Sequence, residues 1–111
     1  IGYSVFFEMP DKVARDRCID QLRQRHVPTS TMSGSVLLPI AESVINKRAR
    51  HPNWPSFNSP EGKAIQYGPD CCRQTLGIYD RFVQVRIGPK YTQRIDDYII
   101  DAIRQVHGAA T

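Results

Sequence analysis

Between positions 48 and 73 the sequence gathers side chains that could recognise an anion or a sugar: Arg48, Arg50, His51, Asn53, Trp54, Tyr67 and Arg73. Guanidinium groups grip carboxylate or phosphate in a planar fork, and aromatic rings beside them offer an apolar wall. Two readings of the cluster stay open. It lines a pocket, or Trp54 and the surrounding prolines hold a structural loop. Cys71 and Cys72 are adjacent, with Arg73 next to them. A helix start beside an arginine lowers a thiol pKa, as nucleophilic chemistry would need. A packed helix start explains the same residues without chemistry. Asp96 and Asp97 fall in the first turn of an expected helix, where acids suit the helix dipole.

Other chemistries lack their residues. The sequence has no GxGxxG and no GxxxxGK phosphate cradle. His26, His51 and His107 are far apart and the cysteines lack CxxC spacing, so no metal site is expected. The three cysteines, Cys18, Cys71 and Cys72, do not form a disulfide framework, and bridging two neighbours would strain the backbone. A reducing cytoplasm is the expected compartment.

The elements that must position these residues follow from spacing. Residues 3–9 (YSVFFEM) alternate, placing Tyr3, Val5, Phe7 and Met9 on one face of a strand that Pro10 ends. Asp11 is a natural N-cap for a helix to about His26, with Ala14, Cys18, Ile19 and Leu22 on its buried stripe. Arg15, Arg17, Asp20, Arg23 and Arg25 fall on the faces expected to be wet. Residues 29–35 read as polar loop. Residues 35–40 (SVLLPI) could form an edge strand, limited by Pro39. Residues 41–48 could make a helical turn or two, and 51–69, with four prolines and two glycines, read as a long irregular connection.

Asp70 could cap a short helix through Cys72 and Leu76 that reaches as far as Tyr79. Residues 82–87 (FVQVRI) form a strand, Gly88 and Pro89 a turn, and Thr92 opens the last helix. Ile95, Ile99, Ala102, Ile103 and Val106 give that helix a complete apolar stripe, and Gly108 is placed to end it. The fold class is therefore α+β: a small, mostly antiparallel sheet with amphipathic helices packed on one face.

Bulk properties agree. The chain has 111 residues, 41% hydrophobic and 23% charged, which suits a single domain over 1–111 and excludes a disordered tail. No apolar run approaches the ~20 residues of a membrane span. The net charge of +4 comes from fifteen Lys and Arg interleaved with eleven Asp and Glu. That pattern fits a solvated surface; a phosphate-rich partner is the alternative. Ile1 in place of Met, with no leader pattern after it, suggests a mature product or a piece of something longer.

In order and content the chain resembles the C-terminal small domain of the DegT–DnrJ-type sugar aminotransferases, which are fold-type I pyridoxal-phosphate enzymes. The strand YSVFFEM and the helix segment RDRCIDQLRQRHVP (15–28) are similar to that family's strand, helix ending in L-x-x-x-x-V/I-P, and turn. Residues 70–106 (DCCRQTLGIYDRFVQVRIGPKYTQRIDDYIIDAIRQV) are similar to its closing pattern of short helix, Arg before a strand, small-Pro turn and capped helix with I-x-x-A-I. Residues 41–69 match loosely, and Cys72 stands where the family often has Pro. The segment with Trp54 looks most like members acting on sugar acids or keto-sugar nucleotides.

The resemblance implies transfer of an amino group to a keto-sugar. The cofactor lysine and phosphate-binding residues would lie in a large domain absent here, since Lys12, Lys47, Lys63 and Lys90 do not sit in the family's lysine motif. Pyridoxal phosphate would belong to the full-length enzyme and not to this chain. The implied partners are the large domain of the same enzyme and a second copy in a homodimer, with no membrane. His51, Trp54 and Arg73 would contribute to the substrate pocket, and no residue here would be catalytic. A free-standing ligand-binding or regulatory module is the alternative. RNA binding through Phe6, Phe82, Gln84 and Arg86 is a third reading, for which the glycine-rich aromatic signature is missing.

Overall fold

Residues 12–24 form the first helix because an acid precedes them and an apolar stripe runs along them. In the computed structural model, which describes residues 3–32, 37–51 and 55–110, α1 spans Lys12–Gln24. The Asp11 carboxylate accepts from the Ala14 N–H at 2.8 Å. Cys18, Ile19 and Leu22 are buried, as their spacing predicts. The helix does not stop at a proline. His26 turns left-handed at φ 59, its N–H donates to the Arg23 carbonyl, and the Val27 N–H reaches back to Leu22. This is a Schellman ending, in which Val27 buries itself close behind the last turn.

Three strands make one antiparallel sheet in the order β1-β3-β2. They are β1 (Ser4–Glu8), β2 (Thr29–Thr31) and β3 (Phe82–Arg86). On the central strand Val83 and Val85 are fully buried, facing β1 at Phe7 and Val5 and β2 at Thr31 and Thr29. The last helix, α6 (Gln93–Ala110), packs with α1 over that face and contributes Ile99, Ala102 and Val106 to one core with Met9, Leu22 and Val27. Burying each such aliphatic side chain contributes about 1.5–3 kcal/mol. The opposite sheet face is tied by a polar ladder. Ser30 Oγ donates to Gln84 Oε1 at 3.0 Å, and Gln84 Nε2 donates to Ser4 Oγ at 2.9 Å. The fold is the expected α+β class with a small antiparallel sheet.

Contacts divide the chain into two compact units: residues 1–32 with 78–111, which hold this sheet, and residues 33–77. The second unit contains α2 (Glu42–Ile45), α3 (Pro55–Asn58) and α4 (Pro60–Ala64), and a 3-10 turn at Pro69–Cys72 runs into α5 (Arg73–Tyr79).

Several expectations need correcting. The third strand is Thr29–Thr31, inside the stretch read as polar loop. The expected edge strand at 35–40 is instead a 3-10 turn over its described part, Leu38–Ile40. Pro39, with a fixed φ and no N–H, suits the first positions of a helical turn better than a ladder. The connection 51–69 holds two short helices, the second capped by Ser59, whose Oγ accepts from the Gly62 N–H at 3.0 Å. Gly108 does not end the last helix, which continues through Ala110; the following alanines favour helix and offset the cost of one glycine.

Arg15, assigned to a wet face, is buried, and its Nη1 donates to the Tyr79 carbonyl at 3.3 Å. Its Nε lies 2.7 Å from an Asp16 carboxylate oxygen without the alignment of a hydrogen bond, so that contact is purely ionic. The face of β1 is buried only toward its end. Met9 is fully covered, whereas Tyr3 and Val5 are exposed.

Candidate functional site

The residues expected to form a pocket lie in the second unit, and α2 sets where they begin. Glu42–Ile45 ends in another Schellman motif: Lys47 turns left-handed at φ 50, its N–H donates to Val44, and Arg48 N–H reaches Ser43 at 2.7 Å. The Lys47 ammonium is held on the Lys63 carbonyl at 2.6 Å, joining this reversal to α4. The chain that leaves the reversal carries Ala49, Arg50 and His51 along a hollow of about 310 Å³, with Phe57 of α3 also lining it. Phe57 meets Tyr67 edge to face, with ring centres 6.3 Å apart and planes at 79°. That contact orients the ring.

His51 therefore lies at a hollow, exposed to solvent. Trp54 lies outside the described residues. Arg73 is elsewhere, at the start of α5, where its Nε and Nη2 both reach one Asp70 oxygen at 2.8 Å. Asp70 thus pairs with an arginine instead of capping a helix. Both groups are exposed, so the pair contributes about 0–1 kcal/mol and leaves the guanidinium accessible. Arg48 pairs loosely with Glu42 at 3.6 Å. Of the cluster read from the sequence the fold brings Arg50 to His51, and Phe57, which that cluster did not include, lines the same hollow.

The adjacent cysteines differ in exposure: Cys71 is exposed and its thiol donates to the Gln66 carbonyl at 3.4 Å, while Cys72 is half-buried. Cys18 is in the core of the first unit, where burial pushes its thiol pKa up. Among the described residues no group of three or more His, Cys, Asp or Glu could hold a metal ion. No helix among them is long and apolar enough to cross a membrane. Lys12, Lys63 and Lys90 are exposed, and the Lys47 ammonium sits on the Lys63 carbonyl.

A second hollow, of about 390 Å³, opens in the sheet unit between the sheet and α6. Val5, Ile87, Ile99, Ile100 and Ile103 make it apolar, and Gln93 and Asp96 stand at one end. No protein-family model, no curated protein and no solved structure matches the chain.

Proposed function

We propose that this chain is the C-terminal domain of a pyridoxal-phosphate-dependent aminotransferase acting on a keto-sugar or sugar nucleotide. It closes the active site and shapes the substrate pocket, and it is not catalytic alone. Its partners are the large domain of the same enzyme and a second copy in a cytoplasmic homodimer. Bound in the large domain, the cofactor would supply the electron sink for amino transfer. This chain's part is to orient the substrate and exclude water.

The observation that carries the reading is the apolar hollow against α6. Val5 and Ile100 line it and remain 44% and 43% exposed, beside Ile99 and Val85, which are buried. Contiguous apolar surface of this kind marks a face that another body covers. The segments that carry the resemblance form regular elements. YSVFFEM contains β1, Leu22 to Pro28 spans the end of α1, and the closing pattern runs through α5, β3 and α6.

The test is the absorbance of the whole gene product containing these 111 residues. It should show the visible band of bound pyridoxal phosphate and lose it on conversion by an amino donor, and the 111-residue chain alone should show neither. A whole gene product with no such band would overturn the reading. The RNA reading draws on one observation, Phe6 exposed on the sheet face away from the helices. Salt-sensitive retention of the chain on immobilised RNA would favour it instead.

A further inference from the structure

The second unit has five Lys and Arg against three Asp and Glu, and most of its cations are already engaged. Arg48 faces Glu42, Arg73 faces Asp70, and the Lys47 ammonium sits on a carbonyl. Arg50 alone among the unit's arginines makes no ion pair or hydrogen bond with any described residue, and neither does His51 beside it. Both line the hollow whose apolar side is Phe57, itself braced by Tyr67. A guanidinium and an imidazole beside an oriented aromatic ring offer charge-assisted donors and a flat apolar surface together. At about 310 Å³ the hollow is at the small end of ligand pockets. It has room for one hexose-sized ring with its charged substituent.

We propose that Arg50 and His51, beside Phe57, form an oxyanion subsite for a sugar that carries a carboxylate or a phosphate. Arg50 takes the anion in a bidentate grip, His51 donates a further hydrogen bond, and the apolar face of the sugar ring lies on Phe57. The inference deepens the aminotransferase reading and rests on it for the choice of a sugar. The anion follows from a guanidinium that no described residue pairs.

Titration of the isotope-labelled 111-residue chain with glucuronate, glucose 1-phosphate, glucose and inorganic phosphate tests it by amide shifts. Either or both charged sugars should shift the amides of Ala49, Arg50, His51 and Phe57, and glucose should not. Arg50→Ala should weaken the charged sugar by about tenfold or more, the loss of a charged hydrogen bond, while Arg73→Ala changes it little. Binding of glucuronate only identifies the carboxylate as the natural anion, and binding of glucose 1-phosphate only identifies the phosphate. The proposal is overturned if glucose binds as well as the charged sugars, if inorganic phosphate binds as tightly as glucose 1-phosphate, or if Arg50→Ala has no effect. It fails separately from the aminotransferase reading. A whole gene product without the cofactor band that still binds charged sugars at Arg50 keeps the subsite and loses the transaminase.

Discussion

Replacing His26 with glycine should make the protein more stable, although it removes a side chain and adds chain freedom. His26 holds φ 59 at the end of α1, and its N–H and that of Val27 close the helix at 2.9 and 3.0 Å. An L-residue costs about 1–2 kcal/mol in the left-handed region, histidine being among the better-tolerated types. Glycine has no such penalty, but its greater freedom when unfolded gives back about 0.5–1 kcal/mol. The exposed imidazole makes no hydrogen bond, ion pair or ring contact with any described residue that its removal would forfeit. The balance is a gain of about 0.5–1 kcal/mol, or a rise of roughly 3–6 °C in Tm for a chain of this size.

Urea and thermal unfolding followed by circular dichroism would measure the change. The m-value should be unchanged, because the surface exposed on unfolding is the same. His26→Ala keeps the left-handed strain and should show no gain. A His26→Gly protein less stable than the parent at equal m would refute the reasoning. It would mean that chain freedom outweighs strain at this position, and the same argument would then fail for Lys47.

Two further outcomes follow from buried groups. The Thr29 hydroxyl is buried without a hydrogen-bond partner among the described residues, so Thr29→Val should stabilise by about 1 kcal/mol in the same unfolding assay; a loss would show that the hydroxyl is satisfied. Thiol labelling of the folded chain should modify Cys71 first, Cys72 more slowly and Cys18 only on unfolding, as read by peptide mass mapping. Burial raises the Cys18 pKa above its ordinary 9.0, so the unfolded thiol ionises before the folded one. Its contribution to stability is therefore complete below pH 9.0 and declines as pH rises above that value toward the folded pKa. The urea midpoint of Cys18→Ala should fall less steeply above pH 9.0 than that of the parent; parallel curves would refute this origin.

The elements with strong periodicity were legible in the residues themselves. Cys18, Ile19 and Leu22 recur on one helix face, Val83 and Val85 alternate on the central strand, and Ile99, Ala102 and Val106 repeat down α6; all are buried. Asp11 announced the start of α1 because a cap needs only its own neighbours. Such local rules depend on a few adjacent residues, and a sequence states them directly.

What the tertiary structure decided was every feature made by residues distant in the chain. Thr29–Thr31 has no strand signal of its own and becomes a strand because β3 offers it a ladder. Arg15 is polar by type, and is buried because the Tyr79 carbonyl, 64 positions away, gives it a partner. The binding cluster was legible only as a crowd of arginines and aromatics between 48 and 73. Which arginines pair with nearby acids, and so which one no described residue pairs, depends on where the backbone turns at Lys47 and α4. Residue type can supply a charge, but only the folded geometry determines whether that charge is already neutralised.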